Sequence, residues 1–580
     1  MRYSGLYFIV SVVFFASCIT KSENATNTNT IIYDTVDLAL VHNLKKSCMA
    51  IPDTGFARIN GVKLQAGKQV KEFYNAVKYT SFFTRNYFPH QRAAELLSLI
   101  SNSHYYGLHS ETYDISKLRN LYLFLNDSNY SGNRLKLATE FEILYANSTF
   151  LFMSHLHRGK LPQDTLVFGN VIDQFPDSFF TKLIPALSDS GLTQTVLNVQ
   201  PQFSEYVYLQ KALETYLKTN KLSKQKLQLP HFKTDSVKCY TKVKHHFLQQ
   251  NYIKKYDINY TLFAQNAMQN ILNYKEKHTK KTFSMFTWQN TDSVFIYSLK
   301  MFQDYNGLNP DGKIGEHTWN ALQKSSYENY MQIAATLERM RWEHGWNNEY
   351  VLVNIPSYTL RAYKNNAPEI QLKIVAGKPK TATPTLSSII KYFIIYPEWH
   401  VPYSITANEL LPKLRKDSSY LRKNNYRLVS KEREIINAEA INWTEMENTN
   451  MDYRIVQQSG SKNALGIIKF IFDNPYSVYI HDTPSKKYFA HDVRAYSHGC
   501  MRLENPTEFA NFLLSKKSNK AERDSFPVHM THLKRRYYYL EQPLQIHVRY
   551  YTALGNVKGE LFIYKDVYNN NSRIISQLFK

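Results

Sequence analysis

The string AYSHGCMR, residues 495–502, places Cys500 directly after His498-Gly499 and two residues before Arg502. A cysteine attacks as its thiolate, and it needs a nearby base or cation to become one. Gly499 has no Cβ, so the backbone there can approach a ligand closely. Successive N–H groups at Gly499 and Cys500 are candidates for an oxyanion hole, as acyl transfer requires. Two histidines compete for the role of base. His498 is two residues from the thiol, and it could equally hold the loop. His481 lies 19 residues upstream in SVYIHDTP, at the end of a predicted strand, where alternation puts Tyr479 on the same face. Spacing alone leaves that choice open. Zinc is a poor alternative because no second cysteine stands at ligand spacing, so neither a metal nor a cofactor is expected.

The elements around these residues follow from their patterning. Asn505, Pro506 and Glu508 read as N-cap, first helical residue and capping-box partner, and Phe509, Phe512 and Leu513 form one face of the helix they start. Cys500 therefore sits on a loop leading into a helix. From residue 348 the hydrophobic period is two. EYVLVNIPSYTLRAYKNN reads as two strands around a Pro-Ser turn, and EIQLKIVAGKP, IIKYFIIYP, IIKFIF, SVYIHDT, PLQIHVRYYTAL and ELFIYKDVY add further strands. A polar, partly helical insertion at about 400–458 interrupts them, with capping-box spacing from Thr406 to Glu409. Insertions between core strands are often lids.

Residues 36–280 carry a mainly helical pattern in which FYNAVKYTSFFTRNYF, RAAELLSLISNS and EYVYLQKALETYLKTN repeat apolar residues at three and four. No chemistry assembles there, so it reads as a helical scaffold. Residues 284–325 read as helix, Gly/Pro-rich loop and helix. Phe302-Gln303, Gly307-Leu308, Pro310-Asp311-Gly312, Ile314-Gly315 and Thr318-Trp319 resemble the pattern of the small three-helix peptidoglycan-binding domain.

Length and composition set the frame. The 580 residues exceed one hydrophobic core, and 43% hydrophobic content suits a folded chain. Residues 1–20 read as a signal, with Arg2 ahead of the apolar run LYFIVSVVFFA, and 21–35 as a polar tether. Cys18, after Ala16-Ser17, resembles a lipoprotein processing site, which would tether the N-terminus to a membrane. Cys48 and Cys239 could bridge or equally be two buried thiols, the second being the preferred reading. The net charge of +23 suits an anionic wall better than nucleic acid in an exported protein.

The stretch VYIHDTPSKKYFAHDVRAYSHGCMRLENP resembles the active-site segment of the L,D-transpeptidase family. It resembles more particularly the large periplasmic type, in which a helical scaffold and a peptidoglycan-binding domain accompany the catalytic domain. ERMRW at 338, VNIPSYTLRAY at 353, IVAGKPKTATPTLSS at 374, YPEWHVPYSI at 396 and LGIIKFIF at 465 extend the likeness. The resemblance implies a multidomain α+β protein, with a β-rich catalytic domain over 348–565 and a capping insertion. It implies Cys500 as nucleophile and His481 as base, the imidazole being oriented by the carbonyl of Asp482. Ser497, His498 and Gly499 would shape the nucleophile loop and its oxyanion site. Arg502, Tyr479 and Trp399 would border the substrate. The implied substrate is a peptidoglycan stem cut after its third residue, with a neighbouring stem amine as acceptor and no nucleic acid involved. The implied place is the periplasm of a Gram-negative bacterium, and carbapenem-like lactams are implied acylating agents. Hydrolysis, exchange or attachment of a protein to the wall could use the same site. A non-catalytic wall-binding scaffold and a cysteine protease acting on proteins are the more distant readings.

Overall fold

The computed structural model describes residues 37–579 except 53–56, 164–174, 177, 188–190, 250–292, 344–345, 431, 433, 445, 447–452 and 517–519. The expected signal, the tether, Cys18 and the first residues of the 284–325 segment lie outside the described residues. The chain is a mixed helix and sheet protein with a helical N-terminal region and a β-rich C-terminal domain. Among the described residues no helix is long and apolar enough to cross a membrane.

The N-terminal region packs helices α1 (Leu38–Met49), α2 (Gly67–Ala76), α3 (Gln91–Ser101), α4 (Ile115–Asn126) and α5 (Arg134–Arg158) around one apolar core. The 25-residue α5 is buried along nearly its whole length, so it carries no amphipathic stripe. The apolar spacing over 73–88 predicts one continuing helix, and the structure departs from it. Helix α2 ends at Ala76, Lys78 and Tyr79 take positive φ, and Thr84–Arg85 pairs with Phe88–Pro89 as a short hairpin. The cause lies in α5, far along the sequence. The buried Glu142 carboxylate accepts the backbone N–H groups of Phe82, Phe83 and Thr84, the Thr84 hydroxyl and the Tyr74 phenol. Those N–H groups find a carboxylate in place of helical carbonyls.

Helix α6 (Ser204–Thr219) carries Tyr206, Leu209 and Leu213 into a second core, which it shares with the C-terminal domain. Helix α7 (Ser236–Gln249) packs Cys239, Val243 and Phe247 against α8 (Ser293–Tyr305) and α9 (Glu316–Leu322). The third helix of that small unit thus comes from within the stretch read as scaffold. Gln303, of the quoted Phe-Gln pair, binds the loop together by donating to Asp311, to the Lys313 carbonyl and to Thr318. Cys48 and Cys239 are free, buried and in separate cores.

Helix α10 (Ser326–Arg341) begins with a complete capping box between Ser325 and Glu328. Its last turn explains the conspicuous ERMRW. Glu338 accepts the Leu161 N–H at 2.5 Å, Arg341 donates to the Tyr106 carbonyl at 2.5 Å, and Arg339 reaches Asn571 and the Asn570 carbonyl. These charges are buried, and they join the helical region to the C-terminal domain.

The C-terminal sheet comprises β1 (Tyr350–Asn354), β2 (Thr359–Lys364), β3 (Ala367–Gly377) and β4 (Leu386–Ile395). After the insertion come β9 (Ile468–Phe472), β10 (Ile480–His481), β11 (Ala495–Ser497), β12 (Met501–Leu503) and β13 (Arg536–Arg549). The order is β11-β3-β12-β10-β9-β4-β13-β1-β2, and β3 also pairs with β2, so the circuit closes and hides its edges. Phe393, Phe470, Ile480, Met501 and Leu503 fill one face, covered by α11 (Pro506–Leu514), whose Asn505 cap accepts the Glu508 N–H. The insertion builds its own four-stranded sheet, β7-β6-β8-β5, from Trp399–His400 (β5), Tyr426–Val429 (β6), Ile435–Ile436 (β7) and Arg454–Gln457 (β8), around Leu411, Leu428, Trp443 and Ile455. The capping box expected at Thr406 does not form: Thr406 is already helical, its side chain caps nothing, and Glu409 points elsewhere.

Candidate active site

Register brings the chemistry together. In β10 and β12, which run parallel, Ile480 faces Met501 and His481 faces Arg502, while antiparallel β9 sets Lys469 opposite His481. Residues opposite one another project from the same face, as do residues two apart in one strand. Arg502, His481 and Lys469 therefore form one row across three strands. Cys500 and Tyr479 extend it along the strand direction. The opposite face of the same strands is the apolar core, so the alternating pattern that turns Ile480 and Met501 into it sets His481 and Arg502 on the other face.

Cys500 lies immediately before β12. Its sulfur accepts from the Tyr479 backbone N–H and from the Tyr479 phenol. The Trp399 side chain, on the first strand of the insertion, hydrogen-bonds that same phenol. The Tyr479 and His481 rings meet edge to face at 5.6 Å. His481 is buried, and its Nδ1 lies 2.5 Å from the Asp482 carbonyl. A carbonyl only accepts, so Nδ1 carries the proton and Nε2 is left as the basic nitrogen. The Asp482 carboxylate has separate work: it accepts the Ile467 N–H at 2.9 Å and pairs with Lys486 at 2.7 Å. Gly466, at φ +60°, is needed there, since a Cβ would come within 2.2 Å of the Asp482 carboxylate.

The loop carrying Cys500 is pinned at several points. Ser497 Oγ donates to the Cys500 carbonyl at 2.6 Å and accepts the Gly499 N–H at 3.2 Å. Thr383 donates to the Gly499 carbonyl, and Thr381 to the Ser497 carbonyl. Gly499 takes φ +114°, a conformation that L side chains rarely adopt. These bonds correct the expectation of paired oxyanion donors. The Gly499 N–H is spent on Ser497 and the Met501 N–H on the Tyr479 carbonyl, whereas the Cys500 N–H has no partner among the described residues. His498 is likewise redirected. It is exposed, and its Nε2 lies 2.6 Å from Glu409 Oε1 of the insertion.

Residues 348–530 match the model of the L,D-transpeptidase catalytic domain. Over those residues the β-rich C-terminal domain is similar to an L,D-transpeptidase catalytic domain. Residues 68–213 match the scaffold domain. A Haemophilus influenzae protein named "Putative L,D-transpeptidase" is 30% identical over 183 residues, which is 32% of this chain and 37% of that protein.

Within this domain, electrostatics set the resting protonation. Burial and then the Arg502 charge lower the His481 pKa to about 3. Burial raises the Cys500 thiol, opposed by the Tyr479 hydrogen bonds and by the charges of Lys469 and Arg502. The resting pair is thus a neutral thiol beside a neutral imidazole. Both cations favour the thiolate and both disfavour an imidazolium.

Lys469 and Glu409 are the residues that sequence reasoning missed. Lys469 Nζ sits 3.7 Å from the centroid of the Tyr479 ring, and burial depresses its pKa. Its signal was present as the one charged residue inside the apolar strand IIKFIF. Glu409 carried no such signal, because its partner His498 is 89 residues away and is reached only through the fold of the insertion.

Proposed function

We propose that this chain is a cysteine-dependent L,D-transpeptidase that joins the third residues of peptidoglycan stem peptides through a thioester. The observation carrying this reading is the shared face of Cys500, Tyr479, His481, Arg502 and Lys469, with His481 Nε2 freed as base by the Asp482 carbonyl. The catalytic-domain match makes peptidoglycan the substrate class.

The steps follow from acyl-transfer chemistry. His481 Nε2 takes the Cys500 proton as the sulfur attacks the carbonyl after the third stem residue. The Cys500 N–H stabilises the oxyanion, and such a donor is worth roughly 3 kcal/mol. Lys469 and Arg502 offset the negative charge that develops in the buried site. The imidazolium returns its proton to the departing D-alanine nitrogen, leaving a thioester. A stem amine then attacks the thioester, giving its proton to His481 and releasing the thiol. The insertion, held to the loop by Glu409, keeps water from competing with the amine. The positive net charge and the N-terminal signal pattern support an exported, periplasmic site of action, with the signal either cleaved, kept as an anchor or lipidated at Cys18.

The test is intact-mass spectrometry of the described chain with a carbapenem, beside Cys500→Ala and His481→Ala, followed by product analysis with tetrapeptide stems. One adduct on wild type, none on Cys500→Ala and slow formation on His481→Ala are expected. Dimers linked through their third residues are expected as the product. Tripeptide alone would mean hydrolysis, and no adduct on wild type with its thiol reduced would overturn the enzyme reading.

A further inference from the structure

The tail LKRRYYYLEQP finds its place on the catalytic sheet. Antiparallel register sets Ile394 opposite both Lys469 and Tyr537, and Tyr392 opposite both Ile471 and Tyr539. The rows that hold the site therefore run on across β4 into β13. One row reads Arg502, His481, Lys469, Ile394, Tyr537, and its neighbour runs from Tyr479 through Ile471 and Tyr392 to Tyr539. The alternate residue, Tyr538, turns into the core and stacks on Phe393. Its two neighbours turn outward: Tyr537 is 45% exposed and Tyr539 62%. Tyr392 lies 5.1 Å from the Tyr539 ring and 6.1 Å from the Tyr537 ring, so the three phenols make one platform. Cross-strand aromatic contact is ordinary in sheets. A platform exposed to solvent and continuous with the nucleophile is not explained by sheet stability.

We propose that the Tyr392, Tyr537 and Tyr539 platform is a subsite for the amino-sugar strand carrying the donor stem. The inference rests on the transpeptidase reading above, and length argues for it. Strands lie about 4.8 Å apart, so three to four steps from β12 put the platform about 14 to 19 Å from Cys500. With its third-residue carbonyl at the thiol, an extended stem spans about 10 Å back to its first residue, and the short arm to the sugar adds about 4 Å. The sugar then arrives where the tyrosines begin. The C–H faces of a pyranose ring suit flat aromatic surfaces, and the phenol hydroxyls suit its polar rim. A longer peptide would need pockets for alternate side chains, whereas these three exposed rings, tilted 15 to 38° to one another, offer chiefly aromatic faces.

The experiment uses the full chain, with Tyr537→Ala/Tyr539→Ala beside wild type and Tyr539→Phe. D-Alanine release is measured from the free tetrapeptide and from the same tetrapeptide on its disaccharide. Binding of peptide-free glycan strands is measured in parallel. The double variant should lose about tenfold in kcat/KM on the disaccharide substrate, keep its rate on the free tetrapeptide and bind glycan more weakly, with Tyr539→Phe close to wild type. Equal losses on both substrates, or glycan binding and kcat/KM unchanged in the double variant, would overturn the subsite. Wild type releasing D-alanine from neither substrate would sink the activity reading alone, since the glycan-binding comparison still decides the platform.

Discussion

Glu409 of the insertion and His498 of the Cys500 loop meet at 2.6 Å, Oε1 to Nε2, so the insertion is fastened to the residue two before Cys500. Glu409 also acts electrostatically on Arg502. Both partners of the pair are partly exposed, and exposed pairs contribute at most about 1 kcal/mol. Glu409→Gln should leave the melting temperature within a degree or two of wild type. It should lower acylation kcat/KM up to about fivefold and speed hydrogen exchange over residues 399–411. Unchanged exchange in that stretch would show that the pair does not fasten the insertion.

Lys469 opposes His481 across the strands and covers the Tyr479 ring. Its charge lowers the thiol pKa and opposes the imidazolium. Lys469→Met should therefore move the pH profile of Cys500 alkylation by iodoacetamide upward, and Lys469→Arg should restore most of it. Wild-type alkylation should itself still be rising above pH 9.0, the ordinary thiol value, because burial raises Cys500. A lowered rate with an unmoved profile would assign Lys469 to packing.

Arg549 and Glu343 form a buried pair in which Nη2 reaches Oε2 at 2.8 Å, and Arg549 also donates to the Leu386 carbonyl and to Ser387. Arg549→Met removes the cation and strands the carboxylate. A loss of about 3–5 kcal/mol in urea unfolding is expected, with much less in Arg549→Met/Glu343→Gln. If the double variant is as unstable as the single, the cost lies in packing and not in the orphaned charge.

Three buried histidines, His155, His481 and His547, have pKa values lowered by burial, the first two to about 3. Unfolding returns them to about 6.5, so the unfolded chain binds more protons between those values. Their contribution is complete above pH 6.5 and declines as pH falls toward 3, at about 1.4 kcal/mol per pH unit for each proton taken up. Denaturation midpoints measured from pH 7.5 to 4.5 should fall steadily. His155→Gln, which keeps a polar partner for the Tyr113 phenol, should flatten the slope.

Much of the site was legible because alternation is a local property. SVYIHDTP and SHGCMRLENP declare which residues share a face, and Asn505-Pro506 declares the helix start that the structure shows. The helical reading of 73–88 went astray for a reason no local pattern holds. The N–H groups of 82–84 are claimed by Glu142, about 60 residues away. The capping box at Thr406 had the right spacing, but Glu409 serves a partner in another element.

The sequence by itself determined the strand period, the loop before α11, the nucleophile candidate and the two competing histidines. Each depends on residues within one or two turns or strands of one another. Tertiary structure alone decided the rest. Parallel pairing of β10 with β12 sets His481 beside Arg502, whereas His498 turns out to Glu409 of the insertion. Ser497 takes the Gly499 N–H and leaves that of Cys500. Register over five strands carries the site face to the tyrosines of the tail. Strand register is fixed by which faces can be buried together across the whole sheet, and no single segment contains that information.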